Sequence, residues 1–352
     1  MDCCTKKLIA WYDKHHRLLP WRQSRNIYHT WVCEVMSQQT TLAVVIPKFA
    51  DFVKHLPTVD ELAACDEEKL RQLWSGLGYY ARARNLKKGA QCIVERRNGN
   101  FPQSYQEWLE IPGCGPYTAA AIASICCHEK VACVDGNVIR VVSRLLALQD
   151  VWSSLGQSAI QAYVTRIQPD NRPGDFNQAM MELGATVCRK TKPQCLLCPL
   201  QEHCLAFAKN CIELCPPKKP RRDAVNVELF AVVIWRKTTD AIAIVTRTKG
   251  FLSNTVGFPL IPESEVEEAK KLLKSLPYLE LFELQNTFSH NITHHRISGK
   301  VLVAQEIENA SVLWHRLNLP QPFYWVARSN LTSKLSTSLD NKVFRIFHTE
   351  LK

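Results

Sequence analysis

The chain has 352 residues, 46% of them hydrophobic and 22% charged, with 44 Lys and Arg against 33 Asp and Glu for a net charge of +11. That length accommodates two domains or one large one, and the composition is ordinary for a soluble protein, with no internal repeat or low-complexity tract, so disorder is not the starting assumption. No run reaches the roughly 18 to 20 apolar residues of a spanning helix. The start, Met1-Asp2-Cys3-Cys4-Thr5-Lys6-Lys7, lacks a signal-peptide apolar stretch, so a soluble protein of the cell interior is expected, with a start that suits a bacterial cytoplasm. The positive excess suits a polyanionic partner, a nucleic acid or an anionic membrane surface. Fifteen cysteines without a secretory signal predict reduced thiols and one metal site, not a disulfide scaffold.

From Thr5 to about Ala208 the pattern is a succession of amphipathic helices. Thr58 with Glu61 and Ser104 with Glu107 are capping boxes where apolar periodicity begins. Helical runs follow at Tyr28–Ser37, Ala81–Arg96, Thr118–Cys127, Asn137–Leu148 and Phe176–Cys188, punctuated by Gly76, Gly99 and Gly136. The segment Pro216-Pro217-Lys218-Lys219-Pro220-Arg221-Arg222 cannot continue a helix and carries dense positive charge, which predicts a basic linker. Beyond it, Leu229–Trp235, Ala241–Arg247 and Lys300–Ala304 read as short strands and Val266–Ser275 as a helix, so the second domain is predicted to be α+β.

Three features carry chemistry. In the order of the chain, Leu109-Glu110-Ile111-Pro112-Gly113-Cys114-Gly115-Pro116-Tyr117-Thr118-Ala119 places two glycines in a tight turn between helices, where backbone amides at the next helix N-terminus can cradle phosphate. Twenty residues after Gly115, Val134-Asp135-Gly136-Asn137-Val138 sets an aspartate at a helix start, where an aspartate is ordinarily an N-cap. Finally, Cys188, Cys195, Cys198 and Cys204 have the spacing C-x6-C-x2-C-x5-C. Four soft ligands suit structural zinc or an iron–sulfur cluster. Only Cys195 and Cys198 form the two-residue knuckle that zinc ribbons use in pairs, which favours a 4Fe-4S cluster.

Together these motifs resemble the helix-hairpin-helix DNA glycosylase superfamily, whose iron–sulfur branch includes endonuclease III and the MutY adenine glycosylases; nearly all of the first 215 residues fit. The resemblance implies a mainly α helix-hairpin-helix domain with a 4Fe-4S loop over residues 1–215. Within it a six-helix subdomain spans about residues 21–130, and an iron–sulfur subdomain combines the N-terminal helix with about 131–215. A basic linker at 216–227 and an α+β, Nudix-like domain at 228–352 would follow.

In the endonuclease III branch the position of Tyr117 is a lysine that forms a Schiff base and permits strand cleavage. A tyrosine cannot form that imine, so a monofunctional glycosylase is implied. The segment Trp31-Val32-Cys33-Glu34-Val35-Met36-Ser37-Gln38-Gln39-Thr40 resembles the MutY signature around its catalytic glutamate, with Ser37 replacing a common leucine. By that resemblance Glu34 is the general acid that protonates N7 of a flipped adenine, and Asp135 stays ionised against the positive charge growing on the sugar. Asn137 and Tyr117 would orient Asp135, while Trp21, Arg22 and Gln178 would line the adenine pocket. Gly76-Leu77-Gly78-Tyr79 resembles the loop whose tyrosine enters the duplex, with Gln39 and Thr40 alongside Leu77. Gly113 and Gly115 would hold the DNA backbone.

In the second domain, Thr287-Phe288-Ser289-His290 resembles the Phe-Ser-His loop by which MutY enzymes sense 8-oxoguanine, with Ser289 the expected reader and Phe288 and His290 beside it. Thr255-Val256-Gly257-Phe258-Pro259 resembles the segment before a Nudix helix, but Glu263–Ala269 lacks the Arg-Glu pair of a Nudix hydrolase. The implied partner is double-stranded DNA with adenine opposite 8-oxoguanine or guanine, met by a monomer at the bacterial nucleoid and not by a membrane protein. Alternatives at this level are a thymine or uracil mismatch glycosylase, a non-catalytic DNA-binding scaffold and a zinc protein.

Overall fold

A computed structural model describes residues 3–23, 26–220, 223–248, 252–253, 255–275, 279–292, 294–306 and 323–351. Arg221 and Arg222 of the basic segment and Thr293 lie outside these. The chain divides into two compact units, Met1–Lys219 and Pro220–Lys352.

The first unit is helical: α1 (Cys3–His15), α2 (Ile27–Ser37), α3 (Leu42–His55), α4 (Val59–Ala64), α5 (Glu67–Leu73), α6 (Ala81–Arg97), α7 (Tyr105–Leu109), α8 (Pro116–Cys126), α9 (Gly136–Leu146), α10 (Ser154–Ile167), α11 (Pro173–Thr186) and α12 (Leu205–Ala208). Side-chain caps explain most of the starts. Asn26, Thr58, Asp66, Ser104, Asp135 and Ser153 each accept a backbone N–H of the following turn, while Pro116 and Pro173 occupy first-turn positions that need no donor. Thr58 and Glu61 form the full reciprocal box. Glu107 departs from it, turning one residue further back to accept the Gln103 N–H at 2.7 Å.

Two apolar clusters build this unit. One gathers Trp31, Phe52, Trp74 and Trp108; the other joins Leu8 of α1 to Val142 of α9, Ile160 of α10, and Phe176 and Met180 of α11. Between them α8 is buried nearly all round, and its alanines let neighbouring helices come close. Gly184 of α11 is required by such an approach: a Cβ there would sit 2.6 Å from Asn137 Cβ. No helix among the described residues is long and apolar enough to cross a membrane.

The second unit centres on β1 (Val225–Arg236), which runs antiparallel to β2 (Ala241–Thr246) and β4 (Leu260–Pro262), and parallel to β6 (His295–Glu306). β3 (Val256–Gly257) and β7 (Phe323–Ala327) pair with β2, and β5 (Leu279–Ile292) forms the other edge beside β6. Helix α13 (Glu263–Lys274) covers one face, while α14 (Leu331–Lys334) and α15 (Ser338–Glu350) cover the other. Along β1, Leu229, Ala231, Val233 and Trp235 join the α15 side; Phe230, Val232 and Ile234 join the α13 side. Covering both faces is why this strand is an unbroken apolar run. The result is the α+β architecture the sequence predicts.

One expectation changes. Phe288, Ser289 and His290 lie inside strand β5, not in a loop, paired opposite Gly299, Ser298 and Ile297. Phe288 turns into the core, and the alternating exposed residues Thr287 and Ser289 give the segment the polarity of a loop. In this unit β3, β4, β5, β7, α14 and α15 are additions to what the sequence predicts.

Candidate active site

A cavity of about 440 Å3 lies where α1, α2, α8, α9 and α11 meet in the first unit. Trp21, Arg22, Glu34, Thr40, Tyr117, Asp135, Asn137 and Gln178 all line it. Their convergence follows from helix geometry. Asp135 is the N-cap of α9, with Oδ1 accepting the Asn137 and Val138 N–H groups at 2.9 and 2.8 Å and Oδ2 accepting Asn137 Nδ2 at 2.8 Å. The N-terminal end of α9, whose first N–H groups have no partner within the helix, faces this carboxylate. Asn137 is fixed in turn by Arg140, whose Nη2 donates to Asn137 Oδ1 at 2.8 Å and to the Gly184 carbonyl at 2.7 Å.

Glu34 sits in the opposite setting. It projects from an otherwise apolar turn of α2 between buried Cys33 and Val35. Burial pushes its carboxyl up to about 7; the Tyr117 hydroxyl opposes that shift, the charge of Asp135 adds to it, and Arg22 opposes it. The Tyr117 hydroxyl oxygen also lies 3.0 Å from Met181 Sδ, and the phenol is itself raised well above its usual range by burial and by Glu34. Glu34 and Asp135 thus border one cavity, the first desolvated and the second held by N–H donors.

The sequence reading omitted Glu182, which also lines the cavity with its side chain fully buried. Arg17 Nε and Arg22 Nη2 reach its two oxygens at 2.6 and 2.9 Å. Burial raises its carboxyl, but the Arg17 and Arg22 guanidiniums prevail and hold it below the ordinary value. Glu182 follows Gln178 by four residues, so the helical repeat places both on one face of α11. That spacing was the available signal.

Gln39, Leu77, Tyr79, Gly113 and Gly115 lie outside the cavity lining. Gln39 and Tyr79 are exposed, each at a positive φ, in turns flanking Thr40 and Leu77; the Thr40 hydroxyl donates to the Leu77 carbonyl at 3.3 Å. Gly113 has φ +85, and a Cβ there would meet Asn85 Cβ at 2.8 Å, so the hairpin turn packs directly on α6. Gly115 is the N-cap of α8.

Cys188, Cys195, Cys198 and Cys204 follow α11 in a loop of short turns. Arg144 of α9 spans it, donating to Cys188 Sγ at 3.3 Å, to the Arg189 carbonyl at 2.8 Å and to the Cys215 carbonyl at 2.8 Å. Burial raises the Cys198 thiol to about 12, with the charges of Cys188, Cys204 and Cys195 adding to the shift. Among the described residues, no three His, Cys, Asp or Glu side chains converge closely enough to hold one metal ion. The donor set, four thiols with a guanidinium beside one sulfur, fits a cluster that shares its ligands among several irons.

In the second unit, Ser289 is exposed and its carbonyl accepts Lys342 Nζ at 2.6 Å, while His290 Nε2 lies 3.4 Å from Ser338 Oγ.

Comparison with known proteins places this geometry. The family described as HhH-GPD superfamily base excision DNA repair protein matches residues 32–155. The adenine DNA glycosylase of Rattus norvegicus is 44% identical over 214 residues, 58% of this chain and 42% of that protein. That of Buchnera aphidicola subsp. Baizongia pistaciae is 30% identical over 324 residues, 89% of this chain and 91% of that protein. The chain spans about two fifths of the length of the mammalian relatives it matches. A non-covalent endonuclease III–DNA complex superposes with TM-score 0.51 at 26% identity, covering 59% of this chain and 94% of that one. A thermostable thymine-DNA glycosylase shares the fold, with TM-score 0.55 at 24% identity over 58% of this chain and 95% of that one. With similarity to the Buchnera protein running along most of both chains, this chain belongs to the adenine DNA glycosylase family.

Proposed function

We propose that the protein is a monofunctional glycosylase of base excision repair that hydrolyses the N-glycosidic bond of adenine opposite 8-oxoguanine or guanine in double-stranded DNA. The observation that carries this reading is the pair of carboxyls on one cavity, Glu34 raised to about 7 and Asp135 held by three N–H donors. Adenine is a poor leaving group until protonated. Glu34 gives its proton to N7, the electrons of the bond from the sugar C1′ depart with the base, and Asp135 stabilises the positive charge left behind. Water then adds at C1′ as hydroxide and its remaining proton restores Glu34. Tyr117 and Asn137 orient the carboxyls, and Trp21, Arg22 and Gln178 border the base. Reaching the cavity requires an extruded adenine, whose place in the stack Tyr79 and Gln39 would take. Tyr117 offers no amine for an imine, so the abasic strand is left uncut.

Cys188, Cys195, Cys198 and Cys204 would hold a 4Fe-4S cluster, which when bound supplies a four-point crosslink of their loop. Ser289 would read the base opposite adenine from the second unit, a Nudix-like domain in this reading, and the protein would work as a monomer at the nucleoid. Ser289→Ala is expected to compress the ratio of excision rates for 8-oxoguanine and guanine partners while leaving the slower rate intact; an unchanged ratio removes Ser289 from the reader. The test of the whole reading is single-turnover release from duplexes with adenine opposite 8-oxoguanine, guanine or thymine, analysed with and without alkali. Adenine release opposite 8-oxoguanine with breaks only after alkali is expected. Absence of release defeats the adenine reading, and breaks without alkali defeat the inference from Tyr117.

A further inference from the structure

Among the exposed residues of the first unit at positive φ, which include Asn98, His128, Lys192 and Asn210, Gln39 at φ 57 and Tyr79 at φ 46, the latter 62% exposed, occupy the two turns that flank Thr40 and Leu77. Such strain, about 1–3 kcal/mol per residue, persists only where neighbouring groups hold the chain in place. Here one side chain does so for both turns. Arg82, in the first turn of α6, donates Nη1 to the carbonyls of Val35, Met36 and Gln38, and Nη2 to the Leu77 and Gly78 carbonyls and to Thr40 Oγ1. Its guanidinium also lies 5.7 Å from the Tyr79 ring centroid and 5.6 Å from that of Trp74. Val35 and Met36 close the helix that carries Glu34, so the same cation caps the negative end of α2. Further along α6, Asn85 receives the Gly113 turn.

We propose that Arg82 is a positioning residue that locks the Gln38–Thr40 and Gly76–Tyr79 turns at a fixed separation and ties both to the Glu34 helix. The duplex then meets Gln39 and Tyr79 already set in place, and extrusion of a base is coupled to the helix that must protonate it. A lysine keeps the charge but presents a single point donor, so it cannot span carbonyls on both turns. This assignment rests on the glycosylase reading for its consequence on DNA, but not for the local geometry.

The experiment compares the full-length protein with Arg82→Lys and Arg82→Met. Amide hydrogen exchange on the free protein should quicken about tenfold in peptides covering residues 35–41 and 74–81, the release of roughly 1.4 kcal/mol, and stay unchanged elsewhere. Unaltered exchange in those peptides, or a rise spread over the whole unit, overturns the proposal. On DNA, single-turnover excision should fall about tenfold for adenine paired with 8-oxoguanine, yet change little for adenine opposite an abasic gap, where less stacking has to be broken. The pH midpoint of the rate should not move. An equal fall on both substrates overturns the positioning role. If the wild-type protein releases no adenine at all, the glycosylase reading fails while the exchange result still decides the role of Arg82 in the free protein.

Discussion

Glu34 and Asp135 are both carboxyls, and what separates them is the company each keeps. Glu34 holds its proton up to about pH 7 because burial disfavours its charged form. Glu34→Gln keeps the shape but cannot donate, so excision should drop about 100-fold or more. The wild-type rate should decline with unit slope above about pH 7, where the acid form disappears. Stability gives an independent check. A folded-state value above the unfolded one means that the protonated fold is intact below about pH 4.5 and is progressively penalised as pH rises through 7. Glu34→Gln escapes that penalty, so it should be more stable than wild type at pH 8, by on the order of 3 kcal/mol, and nearly equal at pH 4. A denaturation series across this range that shows a constant difference would contradict the buried-acid assignment. Asp135→Asn makes the complementary case. Asparagine caps a helix about as well as aspartate, so stability should change by less than about 1 kcal/mol. Under the proposed mechanism the rate should nevertheless fall about 100-fold, because the negative charge that would face the sugar is gone. If stability and rate fall together, the Asp135 carboxylate is chiefly a cap.

At the scale of elements, α9 does two jobs at once. Its first turn fixes Asp135 and Asn137, and two turns later Arg144 grips the start of the cysteine loop. If the four thiols hold the proposed cluster, Arg144→Met should loosen the loop and reduce the iron content and the visible absorbance near 400 nm of the purified protein, with α9 still formed. Full iron occupancy in that variant would show that Arg144 is not needed to preorganise the four thiols. The elements with strong local signals were legible in the sequence: capped, periodic helices such as α4 and α9, and the doubly covered strand β1. The cavity was legible where short motifs carry it, around Trp21, Glu34, Tyr117, Asp135 and Gln178. Glu182 and Arg82 were not singled out: the four-residue step from Gln178 puts Glu182 on the cavity face of α11 but does not disclose its arginine partners 160 or more residues away, and Arg82 joins the nearby Leu77 and Gly78 carbonyls to a turn more than 40 residues earlier. β5 hid for a related reason. Its residues Glu283, Gln285, Asn286 and Thr287 are exposed, so its apolar alternation is sparse, and a register shift between Glu283 and Thr287 interrupts the pairing.

Across the whole molecule, the net charge of +11 and the placement of the chemistry make one joint demand. The cavity that holds Glu34 and Asp135 is partly polar and too small for a duplex, so under the proposed function helical DNA would be held at the surface while one nucleotide enters. The hairpin amides beyond Gly113 and the exposed turns of Gln39 and Tyr79 can supply contacts to one stretch of backbone, but the bulk of the attraction has to come from Lys and Arg against phosphate. Such attraction is bought with counterion release, and the logarithm of the binding constant then falls by about 0.9 per neutralised phosphate for each decade of salt. With about four phosphates engaged, affinity should drop about 100-fold between 50 and 200 mM salt. The single-turnover rate at saturating enzyme should stay nearly constant over the same range, because Glu34 and Asp135 face an interior cavity that salt screens little. Measuring both quantities on the same duplex separates the two levels. If the saturated rate falls in parallel with affinity, the chemistry is exposed to solvent ions, and the division between an electrostatic surface and a sheltered pair of carboxyls is wrong.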